Sequence, residues 1–190
     1  MAAPIDNHYQ KSACTQTLFV FAVQRPQEIP MTEIVFTPIG TVRSPYRDPR
    51  DMPIQPVGAR GVRGTIELDP ACAAGLKDLE GFSRIIVLYH FHRSEGYALE
   101  VVPFLDKTPR GVFATRAPRR PNAIGISILK LVAVRGATLT VEDVDILDGT
   151  PVLDIKPYVP AFDAYPDERA GWLTTTSGAA STMRSDNRFC

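Results

Sequence analysis

The segment Asp154-Ile155-Lys156-Pro157-Tyr158-Val159-Pro160 sets an acid, a base and a phenol at alternate positions just after a β-branched run. In extended chain, residues two apart point the same way, so these polar heads share one face. Such a row could carry chemistry, and it equally suits the wet edge of a sheet; spacing leaves both readings open. Arg116, Arg119 and Arg120 lie within five residues, and Pro118 and Pro121 hold that loop extended. Guanidiniums on a stiff loop match phosphate or carboxylate groups. Arg120-Pro121-Asn122-Ala123-Ile124-Gly125-Ile126-Ser127 combines a fixed φ, a turn-tolerant asparagine and a glycine that lets a ligand approach the backbone. Asp148-Gly149-Thr150-Pro151 is a tight-turn signal that a plain hairpin would explain. His90 and His92 alternate on a strand, but no H-x-x-x-H or cysteine pair completes a metal site, so no metal is expected.

The elements that must position these groups are short and mostly β. Strands are predicted over 33–44, 61–68, 84–92, 111–115, 124–134, 138–146 and 152–155, with period-2 alternation clearest over 61–68. One helix is predicted over 70–81, with Asp69 as N-cap, Pro70 at its first position and Gly81 as its stop. Many strands and one short helix read as all-β, a barrel or a sandwich. Residues 1–31 read as an N-terminal extension, 32–172 as the folded domain, and the Thr/Ser/Gly/Ala-rich 173–190 as a flexible C-terminal tail. Lys11 before the six-residue apolar run Leu18–Val23 raises a secretory signal; Gln24-Arg25-Pro26 instead of a small-residue cleavage site favours a loose tail or an added strand.

Composition narrows the classes further. The 190 residues carry 21 basic and 21 acidic side chains, which excludes a wholly basic nucleic-acid binder but not a local patch. Charge is split along the chain. Residues 107–135 hold seven basic residues and no acid, and 136–169 hold eight acids against Lys156 and Arg169. Ordinary solvated faces paired across a sheet explain this as well as a polyanion-binding surface does. No apolar run approaches the ~20 residues of a membrane-spanning helix. Three scattered cysteines argue against a disulfide framework and fit a reducing, cytoplasmic setting. There is no G-x-G-x-x-G opening a helix, no phosphate loop and no G-x-S-x-G, so Rossmann-type enzymes and serine hydrolases lack their signatures.

Four motifs taken in order are similar to the TsaA-like (YaeB, TrmO) family over about 32–165. They are Ile39-Gly40-Thr41-Val42-Arg43-Ser44-Pro45-Tyr46, Gly111-Val112-Phe113-Ala114-Thr115-Arg116, Arg120-Pro121-Asn122-Ala123-Ile124-Gly125, and Asp148-Gly149-Thr150-Pro151 leading into Asp154-Ile155-Lys156-Pro157-Tyr158. The resemblance implies a compact closed β-barrel, usually a homodimer, that binds S-adenosylmethionine. It implies methylation of N6 of threonylcarbamoyl-adenosine at tRNA position 37, beside the anticodon. Carried over by position, the cofactor pocket comprises Pro53, Ile54, Gln55, His92, Arg93, Arg116, Ser127, Leu147, Asp148, Gly149 and Thr150. Asp154, Lys156 and Tyr158 become candidates for the face receiving the adenine, with Asp154 or Tyr158 as proton acceptor. Arg119, Arg120, Asn122 and Lys130 are candidates for the RNA.

Two departures qualify the likeness. The family loop usually reads Pro-Arg-Gln where this chain has Pro53-Ile54-Gln55, which removes a cation but leaves the backbone contact. Some members carry an extra C-terminal domain thought to help hold tRNA, whereas here 174–190 follow the barrel. Two other functions therefore remain: a cofactor-binding regulatory barrel without catalysis, and a methyltransferase of a small adenine-containing molecule.

Overall fold

Eight short strands in residues 33–189, the residues described by this computed structural model, build a barrel and a small ribbon. They are β1 (Gly40–Arg43), β2 (Arg63–Leu68), β3 (Arg84–His90), β4 (Glu100–Val101), β5 (Arg110–Gly111), β6 (Ile124–Arg135), β7 (Thr138–Glu142) and β8 (Pro151–Pro157). The barrel closes in the order β1-β2-β7-β6-β3-β8, and every pairing is antiparallel. Closure leaves no open sheet edge. β4 and β5 pair separately. The N-terminal run Leu18–Val23 lies outside the described residues.

Alternation explains the wall. On β3, Ile85, Val87 and Tyr89 are buried while Ile86, Leu88 and His90 face the other way. On β6, Gly125, Ser127, Leu129 and Leu131 are the inward set. Val42, Ile66, Leu139, Val141 and Val152 fill the same core, each with no exposed surface. β-branched side chains suit this pleated, one-face-buried geometry.

Two expectations are corrected here. The helix over 70–81 is two 3-10 pieces, Pro70–Leu76 and Leu79–Gly81, interrupted at Asp78 with φ +66°. The Asp69 cap does form, its carboxylate accepting from the Ala71 N–H at 2.8 Å, but the segment is too short and glycine-punctuated to propagate an α-helix. Among the described residues the only α-helix is α1 (Pro160–Asp163). The C-terminal segment is also no loose tail. Residues 171–189 are anchored by the Trp172 indole N–H to the Ala114 carbonyl (2.8 Å), by the Met52 N–H to Ser185 Oγ (2.8 Å) and by Phe189 edge-on to Phe104 (5.1 Å). Irregularly spaced anchors leave no period in the sequence, which is why composition alone read as disorder.

Candidate functional site

A cleft with a cavity volume of about 160 Å3, open to solvent, lies at one end of the barrel. Its floor is Tyr89, Phe91 and Ile126 from β3, its extension and β6; Asp145, Ile146, Leu147 and Thr150 come from the β7–β8 connection. Its rim carries Pro53, Ile54, Gln55, Arg116 and Pro118, and Ser185, Asp186 and Phe189 of the C-terminal segment close one side.

Several sequence-derived candidates meet here. Pro53, Ile54, Gln55, His92, Arg93, Arg116, Leu147 and Thr150 all line the cleft. Arg116 donates Nη1–H to Gln55 Oε1 at 2.8 Å, so the two loops brace each other. Thr150 Oγ1 lies 3.3 Å from His92 Nδ1. Burial, reinforced by Arg93 and His90, pushes the His92 imidazole below its ordinary pKa, which favours the neutral ring. Asp148 and Gly149 stand behind the lining. Asp148 accepts from the Ser44 N–H (3.2 Å), and Gly149, at φ +78°, donates its N–H to the Val42 carbonyl (2.9 Å). This turn is not a hairpin, because β7 pairs with β2 and β6 while β8 pairs with β1 and β3.

Other candidates are elsewhere. Asp154 and Lys156 sit on β8 opposite Leu88 and Ile86, outside the cleft lining, and bind each other at 2.7 Å with side chains 44% and 60% exposed. Tyr158 continues the row, its N–H donating to the Arg84 carbonyl, and does not line the cleft either. The three therefore share a face as their alternation requires, but it is the outer face of the wall. Among the RNA candidates, Arg120 spends Nη1 on the Val112 and Thr115 carbonyls (3.1 and 2.9 Å), which staples its own loop. Lys130 pairs with Glu142 at 2.9 Å across β6 and β7. Asn122 is exposed in the approach to β6, and its carbonyl accepts from the Ile124 N–H. Arg119 is half-buried, with its carbonyl accepting from the Ala98 N–H. The acidic stretch thus partly resolves into pairs across the sheet, Glu142 with Lys130 and Arg63, and Asp143 with Arg84.

Sequence reading missed Tyr89 and Asp145, and it placed Ser127 in the lining when it lies just beneath it. Ser127 is 1% exposed; its Oγ donates to Asp145 Oδ1 at 2.7 Å and lies 3.2 Å from the Tyr89 hydroxyl. Burial pushes the Asp145 carboxyl up to about 7, against the opposing pull of Ser127 and Arg116. Burial likewise raises the Tyr89 phenol, with the Asp145 charge adding to it. The one available signal was an acid inside the apolar stretch Val144-Asp145-Ile146-Leu147. A perturbed acid in a concave site marks functional chemistry more often than a wet one does.

The polar set fits a zwitterionic nucleoside cofactor. Arg116 and Arg93 offer cations to a carboxylate, Gln55 and Thr150 offer polar heads to hydroxyls, and Phe91, Phe104 and Ile126 offer apolar surface to a base. Among the described residues there is no group of three or more His, Cys, Asp and Glu able to hold a metal.

Barrel, cleft and loops together define a small antiparallel barrel that binds its ligand at one mouth rather than a Rossmann-type enzyme. Residues 41–164 match the tRNA-methyltransferase O N-terminal domain, and the chain belongs to that family. It is 51% identical over 156 residues to a Pyrococcus abyssi protein named "Probable S-adenosyl-L-methionine-binding protein", covering 82% of this chain and 85% of that one. It is 36% identical over 159 residues to the Escherichia coli tRNA (adenine(37)-N6)-methyltransferase, covering 78% of this chain and 68% of that one. A crystal structure of TrmO from Pseudomonas aeruginosa superposes with a TM-score of 0.63 at 40% identity, covering 74% of this chain and 63% of that one.

Proposed function

We propose that this protein is an S-adenosylmethionine-dependent tRNA methyltransferase acting on N6 of threonylcarbamoyl-adenosine at position 37. The observation that carries the reading is the convergence of Arg116, Gln55, His92 and Thr150 from separate loops on one cleft, in a chain similar to the Escherichia coli enzyme. Arg116 and Arg93 hold the cofactor carboxylate, Gln55 and Thr150 its hydroxyls, and the apolar floor its base. When bound, the cofactor supplies an electrophilic methyl group on a sulfonium. The chain's part is chiefly orientation: it holds the weakly nucleophilic N6 in line and excludes water. An anticodon loop offers an already loosened base, so extrusion costs less than from a duplex. Arg119 and Asn122, which follow the cleft-lining Arg116 and Pro118 along the chain, meet phosphate or sugar groups.

The protein works in the cytoplasm, without a metal, as a homodimer. Support for the dimer is the outer wall of β3 and β6 away from the cleft, where Ile86 faces Ile128 and Ile124 is 38% exposed. A second copy would cover this apolar face. Titration calorimetry with S-adenosylmethionine should give binding that a chelator does not change, and methyl transfer should require bulk tRNA. Transfer to free adenine nucleosides but not tRNA would favour the small-molecule reading, and binding without any transfer the regulatory one. Light scattering should give twice 20.9 kDa, and a monomer mass would refute the dimer.

A further inference from the structure

We propose that Asp145 is the proton acceptor of the reaction, held in place by Ser127 and Tyr89. This rests on the methyl-transfer reading above.

The acids lining the cleft are Asp145 and Asp186. Asp186 is bound by Arg188 at 2.6 Å, so its charge is already satisfied. Asp148, behind the lining, is bound by the Ser44 N–H and lies 3.5 Å from Arg47. Asp154 is bound by Lys156 outside the cleft. Asp145 forms no ion pair among the described residues; its one side-chain hydrogen bond is to Ser127 through Oδ1. A carboxylate with a fixed geometry and no neutralising cation is the best acceptor in the cleft.

The support beneath it is rigid. Tyr89 packs edge-on to Phe91 with centroids 5.3 Å apart, and its ring occupies the space over Gly125 that any Cβ would take, 2.2 Å from the ring. That close approach fixes the phenol, whose oxygen lies 3.2 Å from Ser127 Oγ, and Ser127 in turn aims Asp145. The charged and titratable groups that bear on Asp145 come from several elements: Arg116 from the loop after β5, Tyr89 from β3 and Tyr46 from the loop after β1. Burial favours the neutral acid and Arg116 the carboxylate, and the balance at about 7 lets one group both take up and release a proton near neutral pH.

The acceptor nitrogen forms a bond to the methyl carbon as the carbon–sulfur bond breaks, and that electron pair stays on sulfur as a neutral thioether. The N6 proton passes to the Asp145 carboxylate, which becomes the acid and then gives its proton to solvent as product leaves.

The test uses the full chain with S-adenosylmethionine and unfractionated tRNA. Asp145→Asn should slow single-turnover methyl transfer about 100-fold or more, while calorimetric cofactor affinity stays within about threefold. In cofactor-free protein labelled with 13C-aspartate, one carboxyl resonance should titrate far above the others and vanish in Asp145→Asn. Ser127→Ala removes a hydrogen bond that favours the carboxylate, so it should move that resonance and the acid limb of the pH–rate profile to higher pH. This second variant carries the test should Asp145→Asn not fold. A rate within a few-fold of wild type, a cofactor affinity lost in parallel with the rate, or no upshifted carboxyl would overturn the assignment. Wild-type protein that binds cofactor yet methylates no tRNA would overturn the proposed function and this step with it, whereas an active wild type with an indifferent Asp145→Asn would overturn this step alone.

Discussion

The cleft floor and the β8 row each hold an aspartate and a tyrosine, yet the barrel wall gives them opposite environments. Asp154 is half-exposed beside Lys156, 2.7 Å away, and also accepts from the Ile155 N–H at 2.9 Å. Such a pair is screened, and holding two long side chains costs entropy, so its net worth is small. Asp145 and Tyr89 lie inward, linked through the buried Ser127 and without a cation in contact. Burial there works on the protonation equilibrium itself and moves the carboxyl into the range of useful acid–base chemistry. Residue type is therefore a poor guide to role; the side of the wall decides it.

The largest effect should separate the two aspartates directly. Asp145→Asn is expected to reduce methylation about 100-fold or more, while Asp154→Asn and Tyr158→Phe stay within a few-fold in the same single-turnover assay. A large loss from the β8 variants would mean that a second copy of the chain carries this row to the cleft, and dilution through the dimer dissociation range would then reduce activity.

Next in size is the cofactor cation. Arg116→Ala should lose about 1.5–3 kcal/mol of a charge-assisted contact, or roughly tenfold and more in affinity, by calorimetry. Arg135→Ala, at the far end of β6 from the cleft, should leave affinity unchanged. Equal losses would mean that the cleft is not the cofactor site.

The floor's rigidity offers a third comparison. Gly125→Ala drives a methyl into the Tyr89 ring and should cost about 1–3 kcal/mol in thermal unfolding, as overpacked cores do. Smallest of all, Lys156→Ala should change stability by at most about 1 kcal/mol, less in high salt.

Much of this was legible before folding. Alternation over 61–68 and the short apolar, β-branched runs over 84–92 and 124–134 marked three barrel strands. The stiff Arg116 loop and the Asp148-Gly149 turn announced themselves through proline and glycine, whose backbone constraints are local. The 3-10 breaks after Asp69 were less legible, because cap and stop signals do not say whether the few residues between them can propagate an α-helix.

What the linear sequence determined by itself is most of the barrel strands and the local alternation along them, because these follow from φ/ψ preferences and side-chain parity; Glu100–Val101 was not legible, and 111–115 is largely a 3-10 turn. Only the tertiary structure decided which parity faces a ligand cleft, that Ser185, Asp186 and Phe189 close one side of it, and that Asp145 meets Ser127 and Tyr89 there. Those contacts join residues that are distant along the chain, and their electrostatics depend on burial, which exists only once the barrel has closed.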